Sequence, residues 1–335
     1  MAINLLNIQP HKVSRDLSGY IVYIYGPGGT GKTTLASQLD SALLLAFERG
    51  YNALPGVFAQ DITSWVEMKQ VIRDLKKPEV KERFKSISID TVDIAADLCE
   101  KYICNREGVE KLADLPWGSG FKMMKKEFEE TFRTIAQLGY ALFFISHSKD
   151  RVFKREDGTE YNQIVPSLAP SYNEIVRNMS DIEAYSHQVA IENGMPEVML
   201  TLRSMDGTIE CKSRFKYIEP EIPFNYSALS NALNSAIDKE AGMNDNKFVT
   251  DQREPQKKEE QTRDFSALMA EFNEMIEKLQ VASGGEFATK WAPRIADTIA
   301  KYLGKGKRIS DCTPDQAGIV ELIVDDLKDQ LGNGI

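Results

Sequence analysis

Eight consecutive residues narrow the possible folds of this chain more than any other stretch. Gly26-Pro27-Gly28-Gly29-Thr30-Gly31-Lys32-Thr33, continued by Thr34, satisfies the pattern GxxxxGK[ST] in full. The chemistry dictates those residue types. Glycines let backbone N–H groups turn inward around phosphates, and a helix that follows offers them its positive N-terminal end. Both flanks are in place. The β-rich run YIVYIY at residues 20–25 leads into the loop, and an apolar-periodic segment opens at Lys32. Strand, loop and helix in that order predict a site for a nucleoside triphosphate, with ATP and Mg²⁺ as its ligands. Lys32 is expected to reach the β- and γ-phosphates, and the Thr33 hydroxyl to ligate the metal.

The surrounding pattern extends this unit into an α/β core. Residues 42–47 (ALLLAF), 86–89 and 140–145 (YALFFI) are short apolar runs of strand length. Helical spacing fills 64–75, 92–103 and 121–138 between them. Nearly continuous apolar strands alternating with helices predict a mainly parallel sheet covered on both faces. Residues 151–165 alternate around Asp157-Gly158, a hairpin signal. Two later β-rich runs, 197–203 and 208–215, flank Asp206-Gly207 and are expected to pair as an antiparallel hairpin at the sheet edge.

At 335 residues the chain fits one large core plus an appendage. The core is expected to span 1–237. Residues 238–264 are polar and nearly free of large apolar side chains, which predicts a flexible linker. Helical spacing returns over 265–335, with Thr313-Pro314 opening the last of three segments, and predicts a small helical module. The balance of 41 basic to 50 acidic residues excludes a globally basic surface, so any nucleic-acid contact must come from local basic loops. Four cysteines without a CxxC pair argue against zinc and suit a reducing compartment. The N-terminus lacks a signal-peptide pattern and no apolar stretch is long enough to span a bilayer, so a soluble, cytoplasmic protein without membrane contact is expected.

Several polar residues stand where such a fold does its chemistry. Asp90 ends the run Ser-Ile-Ser-Ile at 86–89, and a carboxylate at the tip of a buried strand can hold the metal shell with Thr33; it can also cap the helix that follows. Glu48, just past the second strand, is positioned to polarise the attacking water, with Asp61 and Asp93 as weaker alternatives. His147, just past the fourth strand, can sense the γ-phosphate. Lys212 and Arg214 are two apart on a β-run and so share one face, either for a common anionic target in a neighbouring subunit or as a solvated edge pair. Lys149, Arg151, Lys154 and Arg155 cluster after His147 with Phe153 and Tyr161 interleaved, a composition that suits single-stranded nucleic acid or, with its acidic neighbours, a plain solvated hairpin. Trp117, in the loop 105–120, is either a second contact surface or a packing anchor.

Taken together, the stretches YIYGPGGTGKTT (23–34), LLLAFERGYNALPGV (43–57) and FFISHSKDRVFKREDG (143–158) resemble the RecA-like P-loop ATPase core. They are most similar to phage-encoded RecA-like ATPases of the AAA ATP-binding type, which include single-strand annealing recombinases. KSRF at 212–215 resembles the K-x-R motif of DnaB and RadA proteins, whose cations act on the adjacent subunit's nucleotide. The resemblance covers about residues 1–235. It implies ATP-dependent binding or annealing of single-stranded DNA, host-cytoplasmic location, ring or filament assembly with a site completed in trans, Glu48 as catalytic glutamate and His147 as polar switch, where RecA itself carries Gln. A nucleotide-gated DNA-loading module with little hydrolysis, or a helicase or packaging motor, are the alternatives. The helical module is open to a partner such as a single-strand binding protein.

Overall fold

The computed structural model describes residues 10–154, 157–190, 196–242, 248–251, 264–283 and 285–332. The chain divides into one unit of residues 10–255 and another made of 1–9 and 256–335. The first unit opens with β1 (Val13–Ser14), β2 (Ile21–Tyr25), α1 (Lys32–Ser37), β3 (Ala42–Ala46), β4 (Ala59–Asp61), α2 (Trp65–Leu75), α3 (Pro78–Arg83), β5 (Ser86–Asp90), α4 (Val92–Glu107), α5 (Ser119–Gln137) and β6 (Ala141–Ser146). It continues with β7 (Ser148–Lys154), β8 (Glu160–Pro166), α6 (Pro170–Met179), β9 (Ile182–Val189), β10 (Glu197–Thr201), β11 (Lys212–Ser213), β12 (Glu221–Pro223), α7 (Tyr226–Ala241) and β13 (Val249–Thr250).

The main sheet runs β12-β10-β9-β2-β6-β5-β3-β4, with β11 also against β9. From β9 to β4 every pairing is parallel, and β10, β11 and β12 add antiparallel pairings at one side. The apolar strands are buried on both faces because alternate residues point to opposite sides. Tyr23, Leu142 and Phe144 pack with α2, α4, α5 and α6, whereas Val22, Ile24, Phe143 and Ile145 pack with α1 and α7. Local signals set the helix starts. Ser64 and Glu67 form a reciprocal capping box at α2, in which the Glu67 N–H donates to Ser64 Oγ at 3.3 Å and the Ser64 N–H to Glu67 Oε2 at 3.2 Å.

The late β-rich runs do not pair with each other. Both lie antiparallel against β9, β10 opposite Tyr185–Val189 and β11 opposite Ile182–Glu183. Between them the chain makes an excursion whose Asp206-Gly207 turn forms as expected, Gly207 taking φ 78°. That excursion leans on β8 instead: the Ile164 N–H donates to the Thr208 carbonyl and the Glu210 N–H to the Ile164 carbonyl. The polar stretch expected as a linker also begins inside the core. α7 continues through Ala241, β13 pairs with β1, and Arg15 bridges Asp238 at 2.6 Å and Asp251 at 2.7 Å. The remainder of that stretch, 243–247 and 252–263, lies outside the described residues.

The second unit contains α8 (Phe265–Ala282), α9 (Ala292–Leu303) and α10 (Ala317–Gly332) around Leu268, Phe272, Trp291, Ile295, Val320 and Val324. A wide turn at Phe287–Trp291 leads into α9, and Thr313-Pro314 opens a 3₁₀ turn just before α10. Among the described residues no helix is long and apolar enough to cross a membrane.

Candidate nucleotide site

Four chain crossings meet at the carboxyl edge of the parallel strands, because register aligns Tyr25 with Ser146, Asp90 with Ile145 and Ala46 with Asp90. The loop of residues 26–31 leaves β2 there and turns into α1. Gly31 caps the helix in the left-handed region at φ 85°, and Gly29 sits at φ 80°, conformations that side chains resist. Gly26 is glycine for a different reason: a Cβ there would stand 2.3 Å from the Ser186 carbonyl oxygen on β9. Thr30 Oγ1 and Ser186 Oγ are 2.8 Å apart and tie the loop to the same strand. Around Gly28 and Gly29 a Cβ would meet open space, so the loop's outer rim is accessible.

Lys32 is only 6% exposed. Its ammonium donates to the carbonyls of Gly26 at 2.9 Å and Pro27 at 2.7 Å, so it lies folded across the loop. Burial lowers its pKa against the opposing pull of Asp90, Glu48 and Asp93. Thr33 Oγ1 donates to Asp90 Oδ2 at 2.7 Å, and Asp90, 1% exposed, has its pKa raised by burial while Thr33 opposes. Gly50 closes over this pair, since a Cβ would lie 3.1 Å from Thr33 Oγ1 and 3.5 Å from Asp90 Oδ2. Glu48 precedes it, its N–H bonded to the Asp90 carbonyl, and its carboxylate lies 3.4 Å from His147 Nε2. The two residues expected to activate water and sense the γ-phosphate are therefore neighbours.

His147 leads directly into the β7–β8 hairpin. Ser167, at the hairpin's exit, holds its base: its N–H donates to the His147 carbonyl at 2.8 Å, its carbonyl accepts from Lys149 Nζ at 2.7 Å, and its hydroxyl donates to Asp93 Oδ1 at 2.5 Å. Asp93 Oδ2 is buried without a hydrogen-bond partner. These donors fit a magnesium–nucleotide complex: a rim open at Gly28 and Gly29, a buried hydroxyl–carboxylate pair of hard oxygens, and a spare carboxylate oxygen nearby.

The remaining candidates are placed elsewhere. Asp61 accepts from the Tyr51 hydroxyl at 2.5 Å and pairs with Arg49 at 3.6 Å, so it organises the loop after Glu48. Lys212 and Arg214 both engage the C-terminal end of α6 and the residues just after it in the same chain. Lys212 Nζ donates to the carbonyls of Arg177 and Ser180, and Arg214 to the Asn178 carbonyl and Asp181 carboxylate. β11 lies beside the start of β9, level with Val22, at the end of the sheet opposite the phosphate loop. On the hairpin, Phe153 and Tyr161 stack with centroids 5.7 Å apart and the Arg151 guanidinium stands 4.8 Å from the Phe153 ring. Lys154 is exposed, and Arg155 lies outside the described residues. Trp117 is 97% exposed, which removes the packing-anchor reading. Sequence reasoning alone does not single out Ser186, Gly50 or Ser167; the glycine of FERGY, two residues past Glu48, is the one available sign of Gly50.

A parallel sheet whose β2 feeds a glycine loop, with a lysine across the loop and a threonine–aspartate pair beneath it, defines a P-loop nucleoside-triphosphate-binding domain. The chain belongs to the AAA domain family, whose match spans residues 18–215. It is similar to the SPbeta prophage-derived uncharacterized protein YorG of Bacillus subtilis (strain 168), with 30% identity over 344 residues and 99% of each chain covered. Among solved structures, a KaiC-like protein of the hyperthermophilic archaeon Pyrococcus horikoshii OT3 matches with TM-score 0.36 and 13% identity, covering 64% of this chain and 94% of that one.

Proposed function

We propose that this protein binds Mg²⁺–ATP at residues 26–34, hydrolyses it, and couples hydrolysis to a grip on single-stranded DNA by the β7–β8 hairpin, in phage recombination or annealing. One observation carries the coupling: the Glu48–His147 contact at the phosphate site is continuous, within one residue of chain, with a hairpin bearing a stacked aromatic pair under an arginine. Aromatic faces and cations together suit unpaired bases and their phosphates.

Thr33 and Asp90 would hold Mg²⁺, which would supply charge neutralisation for the bound triphosphate. Lys32 leaves the loop carbonyls to meet phosphate oxygens, a better-matched partner for a desolvated ammonium. Glu48 Oε2 orients the attacking water and takes up its proton, and His147, against that same oxygen, registers the change and passes it to the base of the hairpin. Ring or filament assembly, and any reach of Lys212 and Arg214 to a neighbouring nucleotide, belong to the proposal and require those cations to leave the end of α6.

The test is turnover with and without single-stranded DNA. Wild type should be accelerated by DNA. The double variant Arg151→Ala, Phe153→Ala should bind DNA about ten-fold more weakly, a loss within the ~1–3 kcal/mol of one stacked base, with DNA-free turnover unchanged. Turnover indifferent to DNA, with no DNA bound, would end the DNA half of the proposal and leave the ATPase.

A further inference from the structure

Charge in the C-terminal module is sorted by element. Between residues 286 and 308 there are six cations and two carboxylates, whereas 264–283 and 309–332 together hold ten carboxylates and two cations. Both cations of the acidic part are neutralised within it, Lys278 by Glu274 and Lys328 by Glu271. On the basic part Lys301 is tied to Asp326 at 2.8 Å. The Lys290 ammonium and the Arg294 guanidinium stand 5.6 and 5.4 Å from the Trp291 ring, cation–π contacts that hold both charges beside it while the residues stay exposed.

The turn after α9 carries the rest. Lys305, Lys307 and Arg308 are exposed, and none has an ion-pair partner among the described residues. Gly304 at φ 96° and Gly306 at φ 79° shape a turn that side-chain-bearing residues resist, so the two lysines project from a tip with no bulk between them. The Arg308 N–H donates to the Asp311 carboxylate at 3.3 Å, which anchors the exit of the turn. Three cations without an ion-pair partner among the described residues, on a glycine-built tip, make a surface complementary to a chain of phosphates.

We propose that the turn carrying Lys305, Lys307 and Arg308, with Lys290 and Arg294 at the opposite end of α9, is a second nucleic-acid contact that binds the sugar–phosphate backbone without reading sequence. The absence of anchors decides between nucleic acid and an acidic polypeptide. Among the described residues the module's exposed large hydrophobics are Val281 and Leu322, on α8 and α10, and none is on α9 or the turn. A peptide would find nothing apolar to insert against, and a base no open ring to stack on, whereas phosphates require only the cations.

The face does not depend on the hairpin, and the experiment separates the two. Binding of the full chain to a fluorescent thymidine oligonucleotide is followed from about 50 to about 300 mM NaCl, a range over which phosphate contacts dominate affinity. Lys305→Gln, Lys307→Gln, Arg308→Gln should lower the salt slope by roughly 2, near 0.7 per lost contact, and weaken binding about ten-fold or more at the low-salt end. DNA-free ATP turnover and melting temperature should stay at the wild-type values. An unchanged slope in this variant, with the Arg151→Ala, Phe153→Ala variant weakened, overturns this inference and leaves the hairpin reading standing. A reduced slope beside a hairpin variant that binds like wild type does the reverse. An unchanged slope together with triple-variant-sensitive binding to polyglutamate assigns the face to acidic polypeptides and overturns it, and a wild type that binds no DNA overturns both.

Discussion

The two ends of the path through His147 differ in how they are built. At the phosphate loop the functional groups are buried and already engaged: Lys32 with loop carbonyls, Thr33 with Asp90, Gly26 wedged against Ser186. On the β7–β8 hairpin they are more open: Arg151 is exposed and Phe153 and Tyr161 are half-buried, on a two-stranded sheet apart from the main one that the 204–210 excursion buttresses at Ile164. Rigidity suits an end that must place charges around a triphosphate within fractions of an ångström. A loosely supported end suits a polymer met at any position along its length. Ser167 joins the two, with one hydrogen bond to each side and a third to Asp93.

The sharpest way to break that contrast is at the rigid end. Lys32→Ala should cut ATP turnover by at least about 10²-fold, because it removes a preorganised charge from the developing negative charge. Glu48→Gln should lower turnover within roughly 10²–10⁴-fold while nucleotide binding, followed by a fluorescent ATP analogue, is retained. Equal loss of binding in Glu48→Gln would place Glu48 in the support of the loop and not in the chemistry. The Lys32→Ala protein, mixed with Arg214→Ala, also tests assembly: restored turnover at mixed interfaces would show Arg214 acting between copies, and none, with assembly verified, would leave it as the cap of α6.

Ser167→Ala is expected to act on the connection and on neither end. Losing the hydroxyl hydrogen bond to the Asp93 carboxylate, worth about 1.5–3 kcal/mol for a charged acceptor, should reduce DNA stimulation about ten-fold or more, with DNA-free turnover and DNA affinity close to wild type. Ser167→Thr, which keeps the hydroxyl, should restore stimulation. A fall in DNA-free turnover matching the fall in stimulation would mean that Ser167 merely supports Asp93.

The contrast also explains which parts were legible in the sequence. β2, β3 and β6 stand out because strands buried on both faces must be apolar nearly throughout, β5 by its Ser-Ile-Ser-Ile run ending in Asp90, and the phosphate loop because its glycines are required one by one. β9 sits in the middle of the same sheet and was not anticipated. Glu183, Ser186 and His187 interrupt its apolar run, and each is explained only by a distant partner: Arg177 for Glu183, Gly26 and Thr30 for Ser186, Glu221 for His187. The same limit hid the pairing of β10 and β11, since a turn signal at Asp206-Gly207 tells where the chain reverses and not which strand it returns to. Glu48 and His147 were each legible at a strand end, but their contact required the order of β6, β5 and β3 in the sheet.

Glu183 offers the mildest perturbation, one aimed at the foundation below the hairpin. It is fully buried on β9, 2.9 Å from Arg177, which also pairs with Glu210 in the excursion that leans on β8. Burial pushes its carboxyl up to about 8 despite the pull of Arg177 and Lys212. An exposed glutamate in the unfolded chain titrates near 4.3, so between about 4.5 and about 8 the folded protein holds one proton more than the unfolded one. Stability from this group therefore falls as pH rises through that window, by at most about 1.4 kcal/mol per pH unit, and is fully present only below it. Glu183→Gln keeps the neutral shape without the proton to lose. Its melting temperature should decline less than wild type's between pH 5 and pH 8, with the gap in its favour widening toward pH 8. ATP turnover near pH 7 should hardly change, because the phosphate loop is bound to the far end of β9 through Ser186. Parallel melting curves for the two proteins would show that Arg177 keeps Glu183 ionised in the fold, and would make the base of the hairpin as firmly charge-paired as the loop is hydrogen-bonded.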